Sequence, residues 1–105
     1  MSRYVQSVIA DLQAGKTVKN YREGGNSMTP LIINGQKQTL VPIADLCEIK
    51  KGDILLCKVR GNYFTHLVKG VRSNKGKLEF LIGNNHGHVN GWTKHVYGKS
   101  VDVYW

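Results

Sequence analysis

Apolar positions in the first dozen residues recur at intervals of three and four: Tyr4, Val5, Val8, Ile9 and Leu12. That spacing places them on one face of a helix, and Gly15 is the residue type that most readily ends one. Beyond Lys16 the rhythm changes to alternation. Thr17 to Arg22 reads as a strand broken by Gly24-Gly25. Leu31-Ile32-Ile33 reads as an apolar strand stopped by the tight-turn pair Asn34-Gly35. Thr39 to Ile43 is a short strand whose Pro42 suits a sheet edge or a strand end.

The second half is more regular. Lys51-Gly52 turns into Asp53 to Arg60, and Gly61-Asn62 turns again into Tyr63 to Val71, making a hairpin of the two. Ser73 to Gly76 is a polar turn ahead of Leu78 to Ile82. A loop rich in Gly, Asn and His runs from Gly83 to Gly91 and leads to Trp92. The last strand is Val96 to Tyr104, with Gly98 marking a bulge. Short strands with turns at this spacing predict a mostly β (α+β) domain: a coiled, barrel-like antiparallel sheet preceded by one helix.

Composition narrows the picture. A length of 105 residues with 41% hydrophobic content suits a single domain with one modest core, the helix within 1–15 and the β domain over 16–105. Fifteen Lys and Arg against seven Asp and Glu give a net charge of +8, which favours an anionic partner such as nucleic acid. The basic residues are scattered singly or in pairs, however, which fits a solvated surface better than an anion-binding patch. Cys47 and Cys57 are too few for a disulfide framework or a zinc site. Met1 to Gln13 lacks the basic end and apolar core of a secretory signal, and no apolar run nears the ~20 residues that span a bilayer. A cytoplasmic protein without a membrane span is the expectation. His86, His88 and His95 have no Cys or carboxylate beside them in sequence, so that stretch reads as a polar loop with no metal or other cofactor.

Two positions carry candidate chemistry. Ser27 follows Gly24, Gly25 and Asn26, where glycines allow backbone shapes closed to other residues and an amide near Ser27 can face a reacting carbonyl. His66 lies on the side of its strand shared by Phe64 and Val68, away from Tyr63, Thr65 and Leu67. A serine hydroxyl needs an adjacent base, and burial favours the neutral imidazole that a base requires. Each residue alone also fits an ordinary loop serine or a core histidine.

Taken in order, these elements resemble the superfamily of signal peptidases and LexA-type self-cleaving repressors. Gly25-Asn26-Ser27-Met28-Thr29-Pro30-Leu31 is similar to its nucleophile box, and Lys51-Gly52-Asp53-Ile54-Leu55-Leu56 to its second motif. His66 falls where the His-type branch carries its general base. Gly83-Asn84-Asn85 stands at the usual Gly-Asp-Asn, and Gly91-Trp92 with Tyr97-Gly98-Lys99 resembles the closing strand. The resemblance runs from about Val18 to the C-terminus.

It implies a signal-peptidase/LexA-like fold and a Ser27–His66 dyad. An oxyanion loop would be formed by Asn26, Ser27 and Met28, and an extended peptide or protein would be the substrate. The sequence also departs from the pattern. Asn84 replaces an Asp, and the acid that supports the His would fall near Val89-Asn90, where no carboxylate stands. Asn84, Asn85 or a backbone carbonyl is then the expected orienter of His66. Lys69, three residues on and on the other face by alternation, is not the expected base. Ala14-Gly15 matches the bond type that LexA-like proteins cut in themselves, but it coincides with the helix stop. Two readings stay open: a serine endopeptidase, or a catalytically weak or inactive module of the same fold that binds a protein or nucleic acid. A lone domain of this size suits a phage or mobile element.

Overall fold

In the computed structural model, which describes residues 3–105, one helix precedes seven strands. These are α1 (Arg3–Gln13), β1 (Val18–Arg22), β2 (Lys37–Pro42), β3 (Ile54–Val59), β4 (Asn62–Asn74), β5 (Lys77–Gly83), β6 (Val89–Thr93) and β7 (Val96–Tyr104), with a 3-10 turn at Leu46–Glu48. All neighbouring strands are antiparallel, in the order β1-β2-β7-β3-β4-β5-β6. The mostly β, α+β architecture with one N-terminal helix is therefore present. The sheet coils without closing into a barrel, leaving β1 and β6 as its edges. No helix among the described residues is long and apolar enough to cross a membrane.

The helix ends as its sequence dictates. Gly15 takes φ 82°, Lys16 N–H donates to the Asp11 carbonyl and Gly15 N–H to that of Leu12, so the last turn closes on itself. Val8, Ile9 and Leu12 are buried against Tyr21, Leu40 and Leu56. Tyr4, at the rim of the same stripe, is exposed and stacks on Tyr21 with ring centroids 5.5 Å apart. Each buried aliphatic side chain here contributes roughly 1.5–3 kcal/mol relative to exposure. Close approach of helix and sheet depends on Gly98: a Cβ there would sit 2.8 Å from Leu12 Cδ1 and 3.2 Å from the Val41 carbonyl oxygen. The neighbouring register shift in β7 falls between the partners Gly98 and Val96.

Strand β3 is buried on both faces. Leu56 joins the helix-side core, whereas Leu55, Cys57 and Val59 join a second core with Ile49, Val68, Phe80 and Ile82. The coil of the sheet is pinned where Thr93 Oγ1 donates to the Lys58 carbonyl at 2.6 Å and Lys58 N–H donates to that of His95 at 2.9 Å.

Two elements differ from the pattern-based expectation. Leu31-Ile32-Ile33 is not a strand but part of a run of turns. Local acceptors take two of its backbone donors: Ile32 N–H bonds the Met28 carbonyl and Ile33 N–H bonds Gln36 Oε1, so neither is free for a ladder. Conversely, the segment read as loop up to Gly91 contains β6, where Val89 and Gly91 pair with β5 and Asn90 stands unpaired at the register shift between them.

Candidate functional site

The loop after β1 presents Ser27. Gly25 has φ 103°, a left-handed conformation that favours glycine, and its N–H donates to Asn34 Oδ1 at 2.9 Å. Beyond Ser27 the chain dives inward, so Met28 and Ile32 are buried while Ser27 stays exposed. The 84–86 turn clamps this loop. Asn85 N–H donates to the Ser27 carbonyl (3.3 Å), Asn85 Nδ2 to the Thr29 carbonyl (3.1 Å), and His86 Nε2 lies 3.1 Å from Thr29 Oγ1. The Thr29 hydroxyl gives its hydrogen to the Asn26 carbonyl, so His86 is the donor in that last contact. No partner among the described residues occupies the backbone N–H of Ser27 or Met28.

His66 comes from β4, stacked on Phe64 at 4.2 Å between ring centroids and buried. Its Nε2 lies 3.0 Å from Ser27 Oγ. Its Nδ1 lies 2.9 Å from Asn90 Oδ1 on β6. A carboxamide oxygen only accepts, so Nδ1 carries the hydrogen, Nε2 carries the lone pair, and Ser27 O–H points at it. This is the tautomer a general base needs. Burial holds the His66 pKa below the ordinary histidine value by disfavouring the imidazolium. The Asn90 hydrogen bond and the Glu23 charge oppose that shift, and His88 adds to it.

Ser27 and His66 are thus brought together, and the expected orienters are corrected. Asn84 spends Oδ1 on the N–H groups of His86 and His88, tying the turn, and Asn85 holds the Ser27 loop. Neither touches His66. Asn90 does, at the position where the sequence pattern called for an acid. Gly83 is needed beside them, because a Cβ there would collide with the His88 carbonyl and approach Lys69 Cδ and Cε to 2.9 Å. Lys69 occupies the register shift between β4 and β5, packed over Gly83.

Sequence reasoning passed over Glu23, Gln38 and Thr65. The Glu23 carboxylate accepts from Thr65 N–H (3.0 Å to each oxygen), Thr65 O–H (3.1 Å) and Tyr21 O–H (3.0 Å). Its signal was its position, a lone carboxylate directly before the glycine pair. The end of β1 and the edge strand β6 therefore reach the same dipeptide of β4: Glu23 binds Thr65, and Asn90 binds His66.

No protein-family model, curated protein or solved structure matches the chain.

Proposed function

We propose that the chain is a serine endopeptidase-like domain of the signal-peptidase/LexA kind, acting on an extended peptide. The observation that carries this reading is the hydrogen-bonded run Ser27 Oγ–His66–Asn90, with hydroxyl, bare nitrogen and N–H in the order that nucleophilic attack requires. Ser27 Oγ attacks a peptide carbonyl carbon while His66 Nε2 takes the hydroxyl proton. The carbonyl oxygen becomes an oxyanion facing the amides of Ser27 and Met28, whose loop is already clamped by Asn85. The resulting imidazolium gives its proton to the departing amine, and water, deprotonated by the same nitrogen, releases the acyl group. Asn90 holds the tautomer throughout but adds no charge to stabilise the imidazolium.

That last point supports a second reading, a module that keeps the fold and binds a protein or peptide with little turnover. Labelling by a fluorophosphonate probe separates the two. The peptidase reading expects modification of Ser27 that is lost in His66→Ala, and equal labelling of both proteins, or none, overturns it.

A further inference from the structure

Basic side chains far apart in sequence are gathered by the coil of the sheet beside its β6 edge. A cavity of about 370 Å³ has Arg60, Glu79, Trp92, Lys94 and His95 in its lining, and falls within the ~300–1,000 Å³ of ligand sites. A second, of about 600 Å³, has Lys77 and Leu78 in its wall and adjoins the first at Lys94 and His95. Together they form a trough. Glu79 is the single carboxylate among the residues lining it, and Arg72 Nε already holds that group at 2.8 Å. Arg60, Lys77 and Lys94 make no ion pair among the described residues.

The hairpin turns at the two ends of β4 also set cations here. Arg60-Gly61 has φ 51° and 83°, and Lys75-Gly76 has φ 51° and 79°. Two left-handed residues in a row make a turn that favours Asn-Gly, so a long cation in the first place is strained. The glycine of each turn lines one of the two cavities.

Trp92 supplies an aromatic surface. It is exposed on β6, and the Arg72 guanidinium carbon lies 4.1 Å from its ring centroid. Arg60 reaches the same strand, since a Cβ on Gly91 would lie 3.6 Å from its Nε. An exposed indole beside two guanidinium groups suits an unpaired base next to its phosphate. A carboxylate offers it no ring to stack, and a duplex keeps its bases stacked inside.

We propose that this trough binds single-stranded nucleic acid, with a base stacked on Trp92 and the neighbouring phosphates held by Arg60, Lys94 and Lys77. The inference is independent of the reaction at Ser27.

The test follows Trp92 fluorescence in the Trp105→Phe protein, which leaves Trp92 as its one indole. Decathymidylate and decauridylate serve as the DNA and RNA probes, starting at about 50 mM salt. At least one of them should bind and quench Trp92, more weakly as salt rises. Arg60→Glu/Lys94→Glu should cost at least about tenfold more affinity than Lys16→Glu/Lys19→Glu, which reverses as many exposed charges before and within β1, at the opposite edge. Trp92→Leu, read by anisotropy of a labelled oligonucleotide, should weaken binding about fivefold or more. Absence of binding, unquenched Trp92, equal effects of the two charge reversals, or equal affinity for a duplex or for polyglutamate each overturn the proposal. Should Trp92→Leu fail to fold, the quenching and the charge reversals still decide it. Oligonucleotide binding alongside unlabelled wild-type Ser27 sinks the peptidase reading alone. Labelled Ser27 without oligonucleotide binding sinks only the trough.

Discussion

The two halves of the dyad are held by different physics. His66 sits on a strand, walled by Phe64 and the second core, and its position follows from burial. Ser27 sits on an exposed loop of turns, and its position follows from polar contacts with Asn34, Asn85 and His86. Damage to the base side should therefore cost stability and reactivity together. Damage to the loop side should cost reactivity with little loss of stability. Ser27 is placed by bonds that water can replace, and His66 by packing that it cannot.

The base itself gives the largest expected effect. His66→Gln removes the proton acceptor and should lower Ser27 labelling by about a thousandfold or more, read by mass spectrometry of the intact protein. Next is Asn90. Asn90→Leu frees the imidazole to take either tautomer and should slow labelling by roughly ten- to a hundredfold. Asn90→Asp puts a carboxylate on Nδ1, so it should raise the His66 pKa and speed labelling above wild type near neutral pH.

On the loop side, Asn85→Ala removes the Nδ2 bond to Thr29 but keeps the backbone bond to Ser27. It should slow labelling about three- to tenfold while the urea midpoint moves by less than the equivalent of about 1 kcal/mol. A large fall in stability with unchanged labelling would invert the comparison.

How much of this was legible in the sequence follows the same division. The helix stripe, the β3–β4 hairpin and the last strand were readable because period and turn chemistry agree at Val8, Ile9 and Leu12, at Gly61, and from Val96 to Tyr104. Ser27 and His66 were readable as a pair only through the order of several motifs. What escaped was set by tertiary contact. Leu31-Ile32-Ile33 has strand composition, yet Gln36 and Met28 take its donors locally. Asn90 has loop composition, yet the pairing of Val89 and Gly91 with β5 sets it at a bulge from which its side chain meets His66. Gln38 and Thr65 look like ordinary alternating strand residues, and only the coil of the sheet brings them to Glu23 and the back of Ser27.

The smallest expected effect is on folding and comes from protonation. With its pKa lowered in the folded state, His66 favours folding fully above the unfolded value of ~6.5. That contribution declines as pH falls from there through the lower folded value. Urea midpoints should drop over that interval in wild type and less so in His66→Gln.

The same ionisation supplies the most direct test of the central claim, that His66 is the base for Ser27: the pH dependence of Ser27 labelling beside the titration of His66 followed by NMR. The account predicts a labelling rate that rises with pH through one ionisation below ~6.5, coinciding with the His66 midpoint and absent in His66→Gln. A rate that climbs only in alkaline solution, or an acid limb that persists without His66, would contradict it.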